Sequence, residues 1–305
     1  MSDRFDFLEI GDRAPATLPP PDAEPGAAPV FTQPANALKA VEVVGEPGTE
    51  VGQFNAPTGL CVDPWGSLYV ADSNNHRVQR ITPAGEVYVF GRPGASSGQM
   101  WGPQGVAVYP SGRFLFVAEQ GTHRIHCFRF DNGQTSGFIT GFRGPSGVAF
   151  DSDGMLWIAD TGNGRLLRLD TTSGDFIGTI DSASGVQRPI AIACDSSGSI
   201  FVVEGAQEDV VRYSTQGVRL SAVSEFRRLS APRAVAVDRQ GRIYVAEAGL
   251  NRLHVLEPHG ASIMTFEGQA GSIPLKSPGG VAIGPNDEIY LADTLNHRVL
   301  RLVWA

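Results

Sequence analysis

The sequence predicts an all-β fold: a six-bladed β-propeller closed by an N-terminal outer strand, with a disordered Pro-rich tail ahead of it. Three observations carry that expectation. A unit of 41 to 47 residues recurs six times. Each unit holds four short strand patterns divided by tight turns, the mark of propeller blades. The last unit lacks its outer strand, and a matching strand stands at the opposite end of the chain.

The tail comes first and spans residues 1–37. Residues 14–34 contain seven prolines amid alanine. Such a stretch buries too little apolar surface to offset its ordering entropy, so it reads as an extended linker. Ahead of it, Phe5, Phe7, Leu8 and Ile10 form an apolar cluster among acids. That cluster is either a frayed terminus or a tethered docking peptide for a protein partner.

The propeller is expected over residues 38–305. In each unit a strand ends in a carboxylate, and five of the six place an arginine five residues later. The pairs are Asp72 with Arg77, Glu119 with Arg124, Asp160 with Arg165, Glu247 with Arg252, and Asp293 with Arg298. In the fourth unit Glu204 is followed instead by Asp209. A proline opens the first strand of every unit, from Pro57 to Pro278. Turns such as Asp63-Pro64-Trp65-Gly66 then lead to the second strand, glycine supplying the left-handed φ that closes them. In the first unit the strands are expected at Gly59–Val62, Ser67–Ala71, Arg77–Ile81 and Glu86–Phe90. The segment Leu38–Gly45 matches Glu86–Gly91 and can complete the sixth blade, removing an exposed edge.

Composition narrows the function. The 305 residues carry a formal charge of −8, from 32 acids and 24 bases. Half of that charge lies in the tail, and the rest offers no polybasic field for nucleic acid. No apolar run approaches the roughly 20 residues of a membrane helix, and the amino terminus lacks a signal-peptide core. Cys61, Cys127 and Cys194 form no disulfide framework, so a cytoplasmic location is expected.

Asn75-His76-Arg77-Val78, Asn296-His297-Arg298-Val299 and Gly52-Gln53-Phe54-Asn55-Ala56-Pro57 resemble the signature of the NHL repeat family. The resemblance covers about residues 38–305 and implies a six-bladed propeller. Relatives of that kind include binding scaffolds, RNA-binding modules and several enzymes, so fold alone does not choose among them.

Four candidate chemistries follow. The recurrent acid–arginine pairs are expected to be structural, because a catalytic site needs only one. Glu204, Glu208 and Asp209 gather three acids without the local arginine, and are candidate ligands for a hard cation. His76, His123 and His297 share one repeat position, but lie at middle radius, too far apart for zinc. His126, His254 and His259 show no shared spacing. Resemblance to amidating-lyase, gluconolactonase or virginiamycin-lyase-like propellers implies a metal-dependent lyase or hydrolase with its site in the central channel. Against this, Asn55 is the one good hard-cation ligand at the first-strand entrances, and no carboxylate joins it.

The expected function is therefore a non-catalytic scaffold mediating protein–protein contacts, specialised as an accessory subunit of a larger enzyme complex. No catalytic residue, metal or cofactor is assigned. Trp101, which the repeat does not explain, joins the four apolar tail residues as a candidate partner anchor. Phe54 fits the repeat and is expected to pack. The alternatives are the channel-sited lyase or hydrolase and, second, an RNA-binding domain.

Overall fold

The computed structural model describes residues 37–130, 133–223, 229–268 and 272–305. The apolar tail cluster Phe5, Phe7, Leu8 and Ile10 lies outside them. Six antiparallel sheets of four strands each are arranged as blades. Strand β1 (Leu38–Val44) precedes the first blade, made of β2 (Pro57–Val62), β3 (Leu68–Asp72), β4 (Arg77–Ile81) and β5 (Val87–Phe90). The second blade is β6 (Pro103–Val108), β7 (Phe114–Glu119), β8 (Arg124–Arg129) and β9 (Thr135–Ile139). The third comprises β10 (Val148–Phe150), β11 (Leu156–Asp160), β12 (Arg165–Leu169) and β13 (Phe176–Ile180). In the fourth stand β14 (Pro189–Cys194), β15 (Ser199–Glu204), β16 (Asp209–Ser214) and β17 (Arg219–Ala222). The fifth has β18 (Pro232–Val237), β19 (Ile243–Glu247), β20 (Arg252–Leu256) and β21 (Ser262–Phe266), and the sixth β22 (Gly280–Ile283), β23 (Ile289–Asp293) and β24 (Arg298–Trp304).

The sixth blade is completed by β1, which pairs antiparallel with β24 from Leu38↔Trp304 to Val44↔Val299. The Ala305 N–H also donates to the Ala37 carbonyl at 3.0 Å, so the closing strand reaches one residue further than its sequence pattern suggests. Closure leaves no blade with an open inner seam.

Second strands explain the apolar runs. In β3, β11, β15, β19 and β23 every residue is buried, because each blade packs both faces against its neighbours. A strand covered on both sides reads as a continuous apolar run rather than an alternation. The core is thus a ring of inter-blade layers. One joins Phe54, Leu60 and Val70 of the first blade's side to Tyr290, Ala292 and Val299 of the sixth, sealing the ring hydrophobically. Phe54 is fully buried there, as its place in the repeat suggests.

Glycine has one decisive role in this packing. The first strands crowd around the axis, and a Cβ on Gly280 would stand 2.9 Å from the Thr58 carbonyl carbon, inside contact distance. At Gly147 it would stand 2.8 Å from the Ala191 Cα. The fourth and fifth blades carry Ala191 and Ala234 at this position. Among the described residues no helix is long and apolar enough to cross a membrane.

Candidate functional site

The loop face at the start of every first strand is built from a repeated clamp. The residue before each entrance proline is left-handed in all six blades: Ala56, Gly102, Gly144, Arg188, Ala231 and Ser277, with φ between 44° and 61°. Each strand pair ending in the acid places it opposite the residue five positions on, as in Asp72↔Arg77 and Asp293↔Arg298. Asp72 Oδ2 accepts from Arg77 Nε at 2.7 Å and from Asn75 Nδ2 at 2.9 Å, while its Oδ1 accepts the Asn55 N–H at 2.7 Å. Arg77 Nη2 donates to the Glu50 and Gln53 carbonyls. Asp160 and Asp293 repeat the pattern with Arg165 and Arg298. These carboxylates are fully buried and saturated with donors, so the acid–arginine pairs hold the loops.

Histidine supplies a second tie, between blades. His76 Nδ1 accepts the Gly102 N–H at 3.1 Å, His123 Nδ1 that of Gly144 at 2.8 Å, and His297 Nδ1 that of Ala56 at 3.0 Å. Asn251 Oδ1 does the same for Ser277 at 2.7 Å. Each donor belongs to the following blade, so the side chain latches one blade to the next. The Asn-His-Arg signature is thereby explained residue by residue: Asn and Arg saturate the acid, and His latches the neighbour. Trp101 lies on this face, 49% exposed, stacked on His76 with ring centroids 4.1 Å apart.

His126 and His254 share a spacing that the sequence reading missed. Both stand seven residues after the blade carboxylate, where the first blade has Gln79. His126 Nδ1 meets Glu119 Oε1 at 2.7 Å and its Nε2 meets Thr135 Oγ1 at 2.8 Å. His254 meets Glu247 Oε1 at 2.9 Å and Ser262 Oγ at 2.8 Å. Counting from the carboxylate rather than between histidines reveals the position. The acid–imidazole–hydroxyl order is that of a nucleophilic triad, but it occurs in two blades with both imidazoles fully buried, tying the third strand to the fourth. Burial pushes the His126 pKa down against the pull of Glu119. For Glu119, burial works against ionisation, yet hydrogen bonds from His126 and Thr122 outweigh it and hold the carboxyl low.

The fourth blade departs from this scheme. Glu204 is fully buried, accepts from Tyr213 Oη at 2.7 Å through Oε1, and leaves Oε2 without a hydrogen-bond partner. Burial pushes its pKa up, with Tyr213 and Arg219 opposing. Asp209 is buried and accepts its neighbour Val210 N–H, whereas Glu208 is exposed with a left-handed φ of 53°. Among the described residues no three His, Cys, Asp or Glu side chains are placed to share a metal ion, so the structure does not bring Glu204, Glu208 and Asp209 into one ligand set.

The central channel is a cavity of about 310 Å³. At its mouth stand Thr58, Gln104, Ser146, Arg233 and Thr294, and the ring glycines bring backbone to its wall. Several hydroxyls are already engaged in closing the ring: Ser73 donates to the Pro103 carbonyl at 2.6 Å, Thr161 to Pro189 at 2.7 Å and Thr294 to Pro57 at 2.7 Å. Arg233 is the single charged side chain on the described wall, which holds no carboxylate, imidazole or thiol. A catalytic histidine with metal-binding acids therefore finds no matching donor set in this channel.

A family model for the virginiamycin B lyases matches residues 37–302. Among curated proteins, the human NHL repeat-containing protein 3 is 27% identical over 241 residues, covering 74% of this chain and 58% of the relative. Human E3 ubiquitin-protein ligase TRIM32 is 21% identical over 285 residues, covering 83% of this chain and 43% of the ligase. The chain thus spans about half the length of these relatives. Among solved structures, a catalytically inactive histidine-to-alanine variant of virginiamycin B lyase from Staphylococcus aureus, determined with quinupristin, superposes with a TM-score of 0.60. That match is 20% identical and covers 85% of this chain and 83% of the lyase, a likeness that shows the fold.

Proposed function

This chain belongs to the virginiamycin B lyase family and is an NHL-type propeller, and on that premise we propose that it is a non-catalytic binding module that docks a protein partner. The observation that carries the reading is the channel wall, where among the described residues Arg233 is the one charged group and the other polar groups are hydroxyls, an amide and backbone. General acid–base or metal-assisted chemistry needs titratable groups converging on one point. Protein binding needs instead a rigid face with an aromatic anchor, which the clamped loops and Trp101 supply. A role as a cytoplasmic accessory subunit of a larger enzyme complex, contacted also through Phe5, Phe7, Leu8 and Ile10, is the finer form of the same proposal.

Family membership itself favours a second reading, a channel-sited lyase. The two are separated by incubating the full chain with quinupristin and magnesium, calcium or zinc, and following conversion of the quinupristin by liquid chromatography coupled to mass spectrometry. The binding-module reading expects no product above the protein-free control. Turnover that chelation abolishes would establish the lyase. For the partner, co-purification from the native host should be lost on deleting residues 1–36 or on Trp101→Ala, with the propeller still folded.

A further inference from the structure

Among the described residues the inter-blade latch is missing at two junctions, after the third blade, where its position holds Gly164, and after the fourth, where it holds Glu208; the first of these opens onto a surface depression. At the third blade the latch position is Gly164, with φ 64°, and a Cβ placed there meets nothing within 4 Å. The N–H that would use the latch belongs to Arg188, and it has no hydrogen-bond partner among the described residues. In the four latched blades the corresponding N–H is satisfied by His or Asn.

Beside Gly164 is an open surface depression of about 680 Å³. It is lined by Gln120, His123, Arg143, Thr161, Asn163 and Arg188, with three glycines completing the wall. Both arginine side chains are exposed, and neither forms a hydrogen bond or ion pair among the described residues. His123 accepts the Gly144 N–H through Nδ1, so its remaining ring nitrogen, Nε2, carries the proton. Among the described residues no carboxylate lines the depression. The nearest buried acid, Asp160, is consumed by Arg165, Asn163 and the Arg143 N–H.

The positively charged groups lining this depression are the two arginines, and beside them stand a backbone N–H without a partner and the His123 imidazole. Guanidinium forks match the geometry of carboxylate and phosphate, and an added backbone N–H improves the fit to an oxyanion. The geometry points to a binding site for a single oxyanionic group, phosphate or carboxylate, at the junction of the third and fourth blades, held by Arg143, Arg188 and the Arg188 backbone N–H. The anion takes the place of the missing latch, accepting the N–H that His or Asn accepts elsewhere. Because the site is read from this junction alone, it stands apart from the partner-docking reading and needs no partner for its test.

The test is calorimetric titration of the full chain at low ionic strength with inorganic phosphate, and in a separate arm with acetate. Saturable one-site binding is expected in at least one arm, and the arm that responds identifies the oxyanion. The double variant Arg143→Gln/Arg188→Gln should weaken binding by about tenfold or more, since charge-assisted hydrogen bonds are the strong ones. Gly164→His, which restores the residue of the first, second and sixth blades, should abolish binding and raise the melting temperature by supplying the latch. Arg92→Gln, on another junction, should leave affinity unchanged. Should the histidine variant fail to fold, the arginine variant decides. Absence of saturable binding in both arms, or binding that survives the arginine double variant, would overturn the assignment.

Discussion

Gly280→Ala is expected to loosen the ring at its closing seam. The added Cβ would stand 2.9 Å from the Thr58 carbonyl carbon and closer still to its oxygen, with the Ala292 Cβ at 3.3 Å behind it. Neither obstacle is a flexible side-chain end, so relief requires β2 to move away from β22. Overpacking of this kind costs about 1–3 kcal/mol. Moving β2 also strains the Thr294 hydroxyl bond to the Pro57 carbonyl, 2.7 Å long and worth about 0.5–1.5 kcal/mol. The sum is about 1.5–4.5 kcal/mol, or roughly 3–9 °C in melting temperature for a domain this large. Paired thermal melts followed by circular dichroism measure it, with Ala234→Gly as the reverse change at the equivalent position. That control should lose about 1 kcal/mol or less, the ordinary effect of glycine in a strand. If Gly280→Ala melts within 1 °C of the wild type, close strand approach is not why glycine recurs at this position.

Three further outcomes are expected. Glu247→Gln breaks a buried pair with Arg252 and His254 and should destabilise by about 3–5 kcal/mol; Glu204→Gln, which removes a buried charge with an orphaned oxygen, should leave stability equal or higher at pH 7. Because the Glu204 pKa is raised in the folded state, its charge weighs against folding near neutrality and that burden eases as pH falls; Glu204→Gln should remove this trend in melts across pH 4.5–7.5. His126 behaves oppositely, since a folded pKa below the unfolded value of about 6.5 means stability is present above that pH and lost on acidification, and Glu119, also held low, adds to the loss at lower pH. His126→Gln, the residue type of the first blade, should flatten the melting profile between pH 6.5 and 5. Finally, burial pushes the Cys127 thiol up to about 12, so it should resist a disulfide reagent at pH 8 until denaturant is added; rapid labelling of the native protein would contradict its burial.

Much of this molecule is legible in its sequence because a propeller repeats its local chemistry. The strand boundaries of the first blade fall within two residues of those expected, and the closing strand appears where the missing outer strand implied it. Phe54 packs, and the acid–arginine pairs hold loops, for reasons that recurrence already states. The histidines were less legible. His126 and His254 align when counted from Glu119 and Glu247, but only the β7–β8 and β19–β20 registers make that carboxylate the natural origin.

What the sequence by itself determined, then, is the number of blades, their order and the means of closure, since each follows from local patterns repeated along the chain. Tertiary structure alone decided how blades are joined: His76 reaches Gly102, His297 reaches Ala56 across the closing seam, and Gly164 leaves Arg188 without an acceptor. These contacts are set by the angle and spacing of neighbouring sheets, which no local pattern encodes. A glycine at residue 164 is one more turn residue in the chain; beside the next blade it opens a depression lined by Arg143 and Arg188.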